Sequence, residues 1–124
     1  MRARILLVDD NKELREFLSD LLTLKDYKIF KAENGTDALR TLAEYDFNLL
    51  ITDVIMPIMD GAELAHKCNE LFPKLKILGM TGGDWIRDAE LIKQFSETYF
   101  TAFIKKPFDA NELLKQVDDM LENN

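Results

Sequence analysis

The segment Arg4-Ile5-Leu6-Leu7-Val8-Asp9-Asp10 places four consecutive aliphatic residues directly before two carboxylates. An aliphatic run without polar alternation marks a strand buried on both faces, as in a parallel sheet covered by helices. The next residues agree. Leu14, Phe17, Leu18, Leu21 and Leu22 recur at i, i+3, i+4, i+7 and i+8, the apolar face of a helix. The alternation continues along the chain. Residues 27–32 read as a second strand, shorter and more polar and therefore nearer an edge, and Asn34-Gly35-Thr36 as a turn before a short helix marked by Ala38, Leu39 and Leu42. Residues 47–52 form a third apolar run. Asp53 and a loop with Pro57 and Gly61 follow it, then a helix carrying Leu64, Ala65, Cys68 and Leu71. Residues 75–80 are a fourth strand ended by Thr81-Gly82-Gly83, residues 85–97 a helix, and residues 101–105 a fifth strand. Asp109 caps a last helix, with Glu112 three residues on and Leu113, Leu114, Val117 and Leu121 on its inner face.

Five βα units in succession imply an α/β protein, a three-layer α/β/α sandwich around a five-stranded parallel sheet. The chain's 124 residues, 47% hydrophobic and 31% charged, suit one globular domain over residues 1–124 that can bury a core unaided. Its single cysteine excludes an internal disulfide framework. No apolar run approaches a membrane span, and the four-residue stretch near the start is too short for a signal peptide, so a cytoplasmic location is expected. Sixteen basic against 23 acidic residues, net −7, oppose direct nucleic-acid binding, and no helix-turn-helix, zinc-finger or basic-region pattern occurs.

In sheets of this kind ligands lie beyond the carboxyl ends of the strands. There the sequence places Asp9 and Asp10, Asp53, Thr81 and Lys106. Three carboxylates repel one another unless a cation joins them. Mg²⁺ with two or three carboxylates and several waters meets that need. A lysine beside such a cation calls for an anion as well, and a phosphoryl group bridging Mg²⁺ and Lys106, with Thr81 donating to it, satisfies all parties. One of the carboxylates could then be the nucleophile of an aspartyl phosphate. The turn after the first strand has no glycine, so a dinucleotide fingerprint is absent, and there is no Walker-type loop.

These residues resemble the receiver domain of two-component response regulators, and the likeness covers nearly the whole chain. It rests on Ile5-Leu6-Leu7-Val8-Asp9-Asp10, Ala32-Glu33-Asn34-Gly35 with Ala38-Leu39, Asp53-Val54-Ile55-Met56-Pro57-Ile58-Met59-Asp60-Gly61, Met80-Thr81 and Lys106-Pro107-Phe108, in order. The resemblance implies a flavodoxin-like, CheY-like sheet of order 2-1-3-4-5. It implies Asp53 as phosphoacceptor, with Mg²⁺ held by Asp9, Asp10, Asp53 and the main-chain carbonyl of Ile55. Lys106 would meet the phosphoryl oxygens, Thr81 would move toward them, and Phe103 would stand at the aromatic switch position, often tyrosine. A cis bond before Pro107 is also implied. The implied donor is a histidine kinase or histidine phosphotransfer protein, and the implied target a downstream protein, with the chain a monomer or a phosphorylation-dependent dimer. Its own chemistry would be limited to self-phosphorylation and slow autodephosphorylation. Ile55, apolar where some relatives are polar, is expected to hinder the attacking water. Gly82 replaces a usual alanine and, with Gly83, suggests a loosened loop. The stretch from Thr81 to Lys106 looks a few residues longer than typical.

Plainer readings exist for each piece. Asp9-Asp10 could cap the first helix, Asp53 and Thr81 could be turn residues, and Lys105-Lys106 could be solvated charge. Their joint occurrence on one rim favours chemistry. A different class, a Mg²⁺-dependent phosphatase or phosphotransferase acting through an aspartyl phosphate, lacks a second aspartate two residues after Asp53 and an inserted cap. His66 reads as a surface residue and Cys68 as packing. Phe95, Tyr99 and Phe100 read as core more than interface, while Trp85 stays open between core and contact.

Overall fold

The structure is a computed structural model that describes residues 3–54, 59, 61–82 and 99–122. Its strands are β1 (Arg4–Val8), β2 (Lys28–Ala32), β3 (Leu49–Asp53), β4 (Lys76–Thr81) and β5 (Ala102–Lys105). The described helices are α1 (Lys12–Leu24), α2 (Gly35–Glu44), α3 (Gly61–Leu71) and α4 (Ala110–Glu122). The sheet runs β2-β1-β3-β4-β5 with every neighbouring pair parallel. The helix expected over residues 85–97, with Trp85 and Phe95, lies outside the described residues.

The uninterrupted aliphatic runs follow from the period of two along a strand, since both faces are covered. Leu6, Val8 and Leu50 join one core cluster with Ala38, Leu42, Leu64, Ala65 and Cys68 of α2 and α3. Ile5, Leu7, Leu49 and Ile51 join the other, with Leu18 and Leu22 of α1 and Leu113 and Val117 of α4. The two edge strands keep lysines exposed, Lys28 and Lys31 on β2 and Lys105 on β5, which blunts edge-to-edge pairing.

Several helix faces differ from expectation. Phe17 is 55% exposed, because it stands about 100° around α1 from Leu18, away from the Leu18–Leu22 line that meets the sheet. Leu71 is 63% exposed in the last turn of α3, where Phe72 and Leu75 take over the contact with the core. On α4, Met120 is buried along with Leu113 and Val117, and Leu121 is only partly so. Gly35 belongs to α2 itself. Asn34 is the N-cap, its Oδ1 accepting from the Asp37 N–H at 2.9 Å. Asp109 caps α4 as expected, accepting from the Glu112 N–H at 2.8 Å.

Aromatic residues before β5 pack as core. Phe100 is 9% exposed and its ring centroid lies 4.8 Å from that of Phe103. Both rings lean on Gly79, where an added Cβ would come within 2.9 Å of each. Tyr99 stacks on His66 at 4.7 Å, and His66 is half-exposed and paired with Glu70.

Candidate functional site: an acidic pocket at the strand ends

β1 is the strand from which the sheet grows in both directions, toward β2 and toward β3. The crevice at its carboxyl end therefore opens between diverging connections. Asp9 follows β1 directly and is fully buried, while Asp10 stands exposed on the turn. Asn11 caps α1 by accepting from the Leu14 N–H at 3.1 Å, so the two aspartates are not spent as helix caps. Asp53 ends β3, Thr81 ends β4 and is 7% exposed, and Lys106 follows β5.

One carboxylate oxygen from each of Asp9, Asp10 and Asp53 lies within 4.8 Å of the others. The Lys106 ammonium is shared: its Nζ is 3.2 Å from Asp53 Oδ2 and 3.5 Å from Asp9 Oδ2. Asp9 Oδ1 accepts from the Asn11 N–H at 2.8 Å, whereas Oδ2 is buried with no hydrogen bond. At 3.5 Å the ammonium offsets the charge on Oδ2 without bonding to it. Among the described residues, three carboxylates against one ammonium leave a formal −2 in a partly dry pocket.

That imbalance sets the acidity of Asp53. Burial pushes its pKa above the ordinary aspartate value, Asp9 and Asp10 add to the rise, and Lys106 opposes it. A raised acid pKa means that Asp53 contributes stability below its unfolded pKa and loses it as pH climbs through the folded value. At neutral pH and without divalent ions the ionised carboxylate thus weighs on the fold. Asp53→Asn is expected to be more stable than wild type under those conditions, by on the order of 1 kcal/mol after allowance for screening, or about 4 °C in Tm. The gap should close as pH falls through the raised pKa. Thermal melts across pH check this, and an Asn variant that melts lower at neutral pH would contradict it.

An unbonded buried carboxylate oxygen beside two other carboxylates is the donor set a small hard cation takes, with water completing its sphere. The residues present therefore fit Mg²⁺. The carbonyl of Ile55, expected as a further ligand, lies outside the described residues, as does the Ile55 side chain.

Two glycines shape the walls. The Gly61 N–H donates to the Val54 carbonyl at 2.7 Å, and a Cβ on Gly61 would fall 2.1 Å from the Asp53 carbonyl oxygen. Gly82 has φ +139°, and a Cβ there would meet Lys106 Cβ at 2.8 Å, while the Lys106 N–H donates to the Thr81 carbonyl at 2.6 Å. Lys106 and the positive φ together leave no room for a side chain at position 82, and Gly83 lies outside the described residues. The Lys106–Pro107 bond is cis. Phe103 is half-buried on β5, register partner of Gly79.

The response regulator receiver domain family model matches residues 5–118. The chain belongs to that family. Among curated relatives, the receiver protein CpdR of Brucella abortus is 35% identical, the match covering 95% of this chain and 96% of CpdR. FleR of Pseudomonas aeruginosa is 39% identical over 94% of this chain, but the match spans only 24% of FleR. Among solved structures, the response regulator TrrA of Thermotoga maritima superposes with a TM-score of 0.84 at 30% identity, covering 97% of this chain and all of TrrA. This receiver domain has no helix among its described residues long and apolar enough to cross a membrane.

Sequence reasoning passed over Gly79, Asn11 and Arg15. A glycine inside a strand pattern was the available signal for Gly79, since it marks close approach of other atoms to the backbone. Asn11 was a favoured cap type at the right position. For Arg15, which reaches back across a turn, there was no such signal.

Proposed function

We propose that Asp53 of this receiver domain accepts a phosphoryl group from a phosphohistidine on a histidine kinase or histidine phosphotransfer protein. The observation that carries the reading is Lys106 shared between Asp53 and Asp9 inside the three-carboxylate pocket. An ionised Asp53 oxygen attacks phosphorus as the N–P bond of the donor breaks, and the imidazole leaves as the neutral base once protonated. Lys106, already 3.2 Å from that carboxylate, would face the charged phosphoryl oxygens as the group moves onto Asp53. Asp9, Asp10 and Asp53 would hold Mg²⁺, which supplies charge neutralisation for the phosphoryl oxygens. TrrA was crystallised in complex with Mg²⁺ and beryllium fluoride, which supports the same occupancy here.

Thr81 at the end of β4 and Phe103 on β5 are the residues through which occupancy would be passed on, biasing two populations that a downstream protein distinguishes. Family membership favours this signalling role over a phosphatase acting on a separate substrate.

Reductive trapping tests the acceptor. After incubation with acetyl phosphate and Mg²⁺, borohydride converts an aspartyl phosphate to homoserine. Peptide mapping should place homoserine at position 53 alone. Homoserine at another aspartate, with position 53 intact, would move the acceptor there.

A further inference from the structure

We infer that Arg15 is a positioning residue for the metal-binding carboxylates, acting through the main chain of Asp9. The inference rests on the Mg²⁺ reading above and adds to it a residue from the first turn of α1.

Asp9 is anchored at each polar atom except one. Its N–H donates to the Ala32 carbonyl at 3.3 Å, and its Oδ1 accepts from the Asn11 N–H at 2.8 Å. Its carbonyl, just past the end of β1 and so without a strand partner, accepts from Arg15 Nη1 at 2.6 Å. Only Oδ2 remains, buried and unbonded, facing the pocket. A peptide unit is planar, so fixing the Asp9 carbonyl fixes the plane that ends at the Asp10 N–H. That plane carries the Asp10 Cα, from which one carboxylate oxygen reaches within 4.8 Å of one on each of Asp9 and Asp53. Arg15 is itself held in place, because its own N–H makes the first helical bond to the Asn11 carbonyl at 3.0 Å. Without the guanidinium, the Asp9 carbonyl would turn to water and the Asp9–Asp10 plane would rock.

Coulomb attraction predicts the opposite effect. Arg15 puts a positive charge at the edge of a site for a cation, so removing it should strengthen Mg²⁺ binding on charge alone. The sign of the change therefore separates positioning from charge.

The test is a Mg²⁺ titration of the unphosphorylated protein, followed by the amide shift of Asp10 in ¹H–¹⁵N NMR spectra. It is paired with the acetyl phosphate reaction rate at saturating Mg²⁺. Arg15→Ala is expected to bind Mg²⁺ roughly tenfold more weakly, the scale for losing a group that orients a metal ligand. Its reaction rate at saturating Mg²⁺ should match wild type. Arg15→Gln, an uncharged side chain that can still donate to a carbonyl, should restore affinity close to wild type. If alanine unfolds the chain, Arg15→Met keeps the aliphatic stem without the donor and gives the same reading. Equal or tighter Mg²⁺ binding by the alanine or methionine variant would overturn the inference, as would a glutamine variant as weak as alanine. Failure of the wild type to bind Mg²⁺ at all would overturn the metal site itself, a result distinct from equal affinities.

Discussion

Replacing Lys106 with alanine is expected to slow phosphorylation by acetyl phosphate by roughly 100- to 1000-fold at saturating Mg²⁺, the usual scale for removing one preorganised charge-stabilising donor. Among the described residues, Lys106 is the ammonium that bridges Asp53 and Asp9. In the proposed reaction its removal takes away the group that would face the transferred oxygens, and it also removes the influence that opposes the rise of the Asp53 pKa. The second effect gives the defect a pH signature. Below saturating Mg²⁺, where the metal-free pocket is populated, the Asp53 pKa rises further with Lys106 gone. A larger share of the carboxyl is then protonated, and the variant should fall further behind wild type as pH is lowered. Mg²⁺ affinity should hold or improve, because a competing cation has left the pocket. Initial rates of adduct formation across pH, with a parallel Mg²⁺ titration, check both parts. A variant that reacts at the wild-type rate would remove Lys106 from the chemistry.

Gly61→Ala is expected to cost about 3 kcal/mol in folding free energy and to impair the acceptor along with the fold. The added methyl would sit 2.1 Å from the Asp53 carbonyl oxygen and 2.8 Å from Val54 Cα. Both are backbone atoms that cannot rotate away, so β3 or the start of α3 must shift, at the upper end of the usual cost of overpacking. The displaced backbone carries Asp53. Urea denaturation measures the loss, and an alanine variant as stable as wild type would show that this junction yields more easily than its contacts suggest.

Five parallel strands and the residues at their ends were legible in the sequence because each signal is local, whereas the strand order came only with the family resemblance. Ile5 to Val8 and Leu49 to Ile51 are apolar without interruption, and Asp9, Asp53, Thr81 and Lys106 each sit at a strand end. The helix faces were less so. Phe17 fits the i, i+3 rule as well as Leu21 does, and only the direction of the sheet beneath α1 leaves it exposed. The contacts that tune the site were illegible because they join residues by space. Gly61 against Asp53, Gly82 against Lys106 and Arg15 against the Asp9 carbonyl depend on how turns fold back.

Intact mass spectrometry after incubation with acetyl phosphate, with and without Mg²⁺, on wild type and Asp53→Ala tests the phosphoacceptor reading most directly. The expected result is a single phosphoryl adduct on wild type that requires Mg²⁺ and is absent from the variant. An adduct of equal yield on folded Asp53→Ala, or none on folded wild type with Mg²⁺ present, would contradict it.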